Sequence, residues 1–151
     1  MRNSTEDDGE KSVYEIGFLV LPSIPEDKVS DVTDAIRKVV TKEDGKEIDA
    51  EEPFMEQLAY PMSKTVGASR YVVEEAYIGW IKFDLPADPV AGVEHPIETI
   101  KKGIEKIDEV LRFLLVKAPR ETIFTFAKAR LVVEKKEELA LPSPTEEVVV
   151  I

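Results

Sequence analysis

The chain has no cysteine, one histidine, fewer cations than anions, and no apolar run approaching the roughly 18 residues a membrane-spanning helix needs. Without cysteine there are no disulfides, no thiolate metal site and no cysteine nucleophile. A single histidine, His95, gives zinc hydrolysis and histidine-based triads no footing. Twenty Lys and Arg against 31 Asp and Glu leave a formal net charge of −11. That balance argues against a sequence-blind polyanion binder, which needs an excess of cations, although a local basic patch stays possible because fields act regionally. Phosphate-binding glycine loops, nucleophile elbows and paired-histidine motifs are also missing. The start, "MRNSTEDDGEK", lacks the apolar centre of a signal segment, so a soluble intracellular protein is the expectation.

What is present suffices for one domain with appendages. The 151 residues are 43 % apolar, enough for one hydrophobic core. Residues 1–12 are polar and acidic and read as a mobile arm. "SVYEIGFLVLP" then gives a strand with two apolar faces, Tyr14, Ile16, Phe18 and Val20 on one and Val13, Leu19 and Leu21 on the other. Two apolar faces predict a central strand. Pro25 with Glu26 and Asp27 opens a helix to about Lys42, whose Val29, Val32, Ile36, Val39 and Val40 recur at helical spacing. Gly45 is the expected C-terminal punctuation.

"EIDAEEPFMEQLAYPM" alternates loosely, and its Pro53 and Pro61 predict an edge strand or a broken one, with Pro61 ending its ladder. "SKTVGASRYVVEEA" is long for a hairpin loop and reads as an extended hairpin tip. "AYIGWIKFDLP" is a strand, with Tyr77, Gly79, Ile81 and Phe83 facing away from Ile78, Trp80 and Lys82. Ile97, Ile100, Ile104 and Ile107 mark a second amphipathic helix opened by "VEHPIE". "EVLRFLLVK" is the last strong strand, setting Arg112, Leu114 and Val116 against Leu111, Phe113, Leu115 and Lys117. The order strand, helix, strand, strand, helix, strand predicts an α+β, ferredoxin-like split βαβ sandwich, a four-stranded antiparallel sheet with two helices on one face plus N- and C-terminal extensions. The expected division is an acidic arm over 1–12, the ferredoxin-like domain over 13–118 and an extension over 119–151. Within that extension a helix over Glu121–Leu139 and a short strand through Phe124–Phe126 are both open.

Chemistry-bearing candidates are few. His95 precedes Pro96 at a helix entry, and capping outweighs catalysis for an isolated histidine there. Glu43, Asp44, Glu47, Asp49, Glu51 and Glu52 lack calcium-loop spacing and read as a solvated acidic face. No catalytic residue, metal site or cofactor is expected, and no small-molecule substrate. The sheet face not covered by helices is more promising, because a rather apolar open face calls for a lid or a partner. Aromatics with interspersed cations on such a face suit single-stranded RNA, while Trp80 and Phe113 are also natural core residues.

Three stretches resemble bacterial small-subunit ribosomal protein six over about residues 11–118: "YEIGFLVLPSI", "LAYPMSK" and "IDEVLRFLLVK". The middle one is the most specific. The resemblance implies the same ferredoxin-like fold, no catalysis, and binding to the central domain of small-subunit ribosomal RNA. It also implies pairing with small-subunit ribosomal protein eighteen and a cytoplasmic, ribosome-associated location away from membranes. By similarity Lys11, Tyr14, Lys64, Arg70 and Arg112 face RNA, and Leu58, Tyr60, Pro61 and Met62 face the partner. The chain departs from the family at Phe54 and Glu56, where it usually carries a glycine and a basic residue. It also carries Ser12–Val13 in place of a basic pair. The alternative reading is a ferredoxin-like regulatory or small-molecule-binding module that homo-oligomerises through its sheet.

Overall fold

A computed structural model of the chain describes residues 11–86, 94–122 and 125–126. Met1–Arg120 forms one compact unit and Glu121–Ile151 a second, and every element below belongs to the first. The helix expected over Glu121–Leu139 and the strand through Phe124–Phe126 fall outside the described residues but for Glu121, Thr122, Thr125 and Phe126, as does the arm but for Lys11 and Ser12.

Strand β1 runs Lys11–Val20, one residue earlier than the stretch "SVYEIGFLVLP" suggested. It lies between β3 (Ser69–Pro86) and β4 (Val110–Lys117) in an antiparallel sheet of order β2-β3-β1-β4, with β2 (Lys46–Val66) at one edge. The two apolar faces of β1 therefore did mark a central strand. Ile16, Phe18 and Val20 meet Ile81, Phe83, Leu85 and Val110 on one sheet face, and the helices close over that face. Helix α1 (Val29–Lys42) follows a single 3-10 turn at Glu26–Lys28 and buries Val29, Val32, Ile36 and Val40. Helix α2 (Pro96–Glu105) adds Ile100 and Ile104, both fully buried. Both helices pack on one face of the sheet, as the split βαβ pattern requires.

Helix ends follow from local chemistry. At α2 the His95 imidazole accepts the Ile97 N–H at 3.0 Å and Pro96 opens the helix, so the histidine is a cap. At α1 the structure corrects one expectation. The left-handed position belongs to Asp44 (φ 65), not Gly45. The Gly45 N–H donates to the Val40 carbonyl at 3.0 Å and the Asp44 N–H to the Thr41 carbonyl at 2.9 Å, the paired bonds of a Schellman end. Gly45 is required for a different reason, since a Cβ there would lie 2.4 Å from Val40 Cγ1.

The segment expected as a long tip is a ladder instead. β2 and β3 pair through Val66↔Ser69, leaving Gly67 and Ala68 as a two-residue turn. Gly67 (φ 60) takes the first central position, where turns matched to strand twist place a glycine. Pro61 interrupts the ladder without ending it, because pairing lapses after Gln57 and resumes at Met62↔Val73. β2 is the edge strand its prolines predicted, with Pro53 in a second register shift between Glu51 and Phe54. Arg37 ties α1 to this edge, donating to Glu47 (2.8 Å), Asp34 (3.0 Å) and Glu52 (3.1 Å).

Candidate partner and RNA surface

The Leu-Ala-Tyr-Pro stretch lies where β2 slips its register, and the slip divides its side chains. Leu58 and Met62 are half-buried against a small cluster of Leu21, Ala76 and Leu111, joined by Val73. Tyr60 is 64 % exposed and Pro61 is exposed with it. Two of the four candidate partner residues thus hold the strand down while the other two stand out. Beyond them Met62–Val66 and Ser69–Val73 form a two-stranded arm, on which Val72 and Tyr71 are further exposed apolar residues.

The candidate RNA residues fall into separate groups. Lys64, on the arm, is half-buried and its ammonium donates to the Val110 carbonyl at 2.7 Å. Lys64 and Arg112 line one open hollow of about 270 Å³ together with Glu105, Val110, Leu111 and Phe113. Arg112 is exposed and donates to the Leu111 carbonyl at 2.8 Å. Arg70 is exposed beside the turn, opposite Thr65. Lys11 and Tyr14 sit at the other end of β1. Tyr14 lies five residues from Leu19, the register partner of Arg112, a distance of roughly 17 Å along a strand. The Tyr14 ring is half-buried and stacks on Phe83 with centroids 6.1 Å apart. Lys117 is exposed opposite Tyr14 in the β1–β4 register, whereas Lys11, three residues earlier on β1, belongs to the other sheet face. The sequence reading placed Lys117 at the end of the last strand but missed its pairing, which only the β1–β4 register supplies.

No aromatic platform is exposed on the open sheet face among the described residues. Trp80 is 4 % exposed and its indole N–H donates to Glu51 at 2.7 Å, while Phe113 packs half-buried into the helix-side core. The core reading of both residues holds. The open face carries aliphatic Leu114 (66 % exposed) and Val116, together with the buried polar pair Lys82 and Asp84. Lys82 lies in register between Asp49 on β2 and Glu15 on β1. Asp84 meets the Arg120 guanidinium at 3.2 Å.

Charge shifts lie elsewhere. At Arg37 partial burial opposes the charge, yet the hydrogen bonds it donates to Glu52, Glu47 and Asp34 raise the guanidinium pKa above its ordinary value. Lys102 is raised chiefly by its hydrogen bond to Glu94, at 2.8 Å. Among the described residues no group of three His, Asp or Glu could hold a metal ion, and no helix is long and apolar enough to cross a membrane. Such an arrangement, apolar anchors beside separated cations, suits binding and offers no convergent set of groups for catalysis.

Comparison with known proteins bears on this geometry. Residues 13–117 match the family described as Ribosomal protein S6. The crystal structure of 30S ribosomal protein S6 from Thermotoga maritima is similar with a TM-score of 0.56 at 17 % identity, covering 87 % of this chain and 98 % of that one. No curated protein matches the sequence.

Proposed function

Because the chain belongs to the ribosomal protein S6 family, a structural and non-enzymatic constituent of the small ribosomal subunit, we propose that it binds the central domain of small-subunit ribosomal RNA jointly with small-subunit ribosomal protein eighteen, in the cytoplasm. The family match over residues 13–117 carries this reading. The surface gives it physical sense. Tyr60 and Pro61 form the partner anchor, an exposed aromatic beside a rigid ring, held in place by the half-buried Leu58 and Met62. Lys11, Tyr14, Arg70 and Arg112 meet RNA, the cations on phosphate and the tyrosine edge beside them.

A net charge of −11 sets the order of importance. Few phosphate contacts are available, so the partner supplies most of the RNA affinity, and an acidic protein is electrostatically matched to a basic one. The expected result is that tagged full-length protein co-sediments with small subunits at moderate salt, and that RNA affinity rises when ribosomal protein eighteen is added. Loss from the subunits at moderate salt, with no partner-dependent RNA binding, sinks the proposal.

A further inference from the structure

We infer that Lys64 is a positioning residue: its ammonium clasps the β2–β3 arm to the start of β4, and so sets the Tyr60–Pro61 partner surface relative to Arg112, without itself contacting phosphate. The role of the clasp in binding rests on the reading above, whereas the clasp itself does not.

Sheet order makes the contact unusual. β2 and β4 are opposite edges of the sheet, three strand spacings or about 14 Å apart, further than a lysine side chain reaches. Lys64 nonetheless donates to Val110 at 2.7 Å, so the arm curls over the end of the sheet towards β4. Two independent features receive it there. First, the β1–β4 register slips between Leu19 and Val20: Val20 pairs with Val110 and Leu19 with Arg112, leaving Leu111 as the extra residue of a bulge. Second, Leu111 joins Leu21 and Ala76 in the apolar cluster against which Leu58, Met62 and Val73 of the arm pack. The bulge thus puts one side chain under the arm, and the neighbouring carbonyl takes the lysine. A half-buried ammonium loses water on burial, and a carbonyl acceptor in the same hollow compensates for that loss. An ammonium oriented this way has its shortest contact directed inwards.

Tyr60 and Pro61 lie in the register slip at the root of the arm, immediately before the paired Met62↔Val73 step, and Arg112 lies two residues beyond Val110. The clasp therefore spans the two surfaces that protein and RNA would use, and releasing it separates them.

The test compares full-length Lys64→Met, which keeps the side-chain length and loses the donor, with Lys64→Arg, which restores a donor. In the free protein, Lys64→Met should speed amide exchange in Met62–Val66 and Ser69–Val73 by about tenfold relative to the β1 amides, and Lys64→Arg should restore protection. With ribosomal protein eighteen, Lys64→Met should weaken affinity about fivefold or more, with Lys64→Arg near wild type. The slope of log affinity for RNA against log salt, measured with the partner present, should be unchanged. In Arg112→Ala it should fall by about 0.7–0.9, the value of one phosphate contact. Unaltered arm exchange in Lys64→Met, or a slope reduced in that variant as in Arg112→Ala, overturns the inference. If wild-type protein binds neither RNA nor partner, the proposed function fails while the exchange result still decides whether the clasp exists.

Discussion

Tyr60 and Leu58 are two residues apart in an apolar stretch, and the chain uses them in opposite ways. Leu58 packs on the cluster around Leu21 and Leu111, whereas Tyr60 is 64 % exposed. A large exposed aromatic loses little when the protein unfolds and much when a partner leaves. Tyr60→Ala should therefore change folding stability by no more than about 0.5 kcal/mol. It should weaken partner binding by about thirtyfold, the size of an interface anchor worth about 2 kcal/mol. Urea denaturation and titration with ribosomal protein eighteen measure the two effects separately. A collapse in stability with normal binding by the folded fraction would make Tyr60 a core residue. Trp80 presents the converse case. As the only tryptophan, 4 % exposed and bonded to Glu51, it reports folding and not stacking. Its emission should shift to longer wavelength on unfolding and stay unchanged when RNA binds. A quench on RNA addition alone would place a base against the indole.

At the scale of elements, the parts with intact periodicity were legible and the bulged parts were not. β1, α1, α2 and β4 announce themselves because Ile16, Phe18 and Val20, or Val29, Val32, Ile36 and Val40, recur at the period of their own backbone. β2 hides its length because register shifts after Glu47, Glu51 and Gln57 break the alternation. The tight turn hides as well, since Gly67–Ala68 lacks the Asn-Gly signature and "SRYVV" follows it with no polar cluster to mark a loop. Residue-level candidates were legible in kind. Which of them share a surface depends on the arm curling towards β4, a tertiary effect that no local spacing encodes. The end of α1 shows how a correct residue can be chosen for the wrong reason. Gly45 matters, but for close approach and not for dihedral freedom. Gly45→Ala should cost about 1–3 kcal/mol, because a methyl 2.4 Å from Val40 Cγ1 must displace a buried side chain. Asp44→Gly should leave stability equal or raise it by up to about 1 kcal/mol, since φ 65 suits glycine. Urea midpoints at constant m-value would show this ordering, and the reverse ordering would return the left-handed role to Gly45.

At the scale of the whole molecule, charge and edges act together. The β2 edge carries Glu47, Asp49, Glu51, Glu52 and Glu56 along one strand, and only part of that charge is held by Arg37. Glu56 stands just before the Tyr60 anchor, so a partner approaching that edge enters an anionic field before it touches an apolar side chain. A field of this kind speeds encounter with a basic protein and contributes little once apolar contacts have formed. Raising NaCl from about 0.05 to about 0.5 M should therefore slow association with ribosomal protein eighteen by about tenfold or more, because screening shortens the field to a few ångströms. Dissociation should change far less, because the proposed contact of Tyr60 and Pro61 is apolar and its loss costs the same in either buffer. Glu56→Gln should reproduce part of the slowing at low salt and add little at high salt. Stopped-flow traces at the two salt concentrations separate the rates. A salt effect confined to dissociation would mean that the acidic edge is paired within the interface, and Glu56→Gln would then shorten the lifetime of the complex instead of delaying its formation.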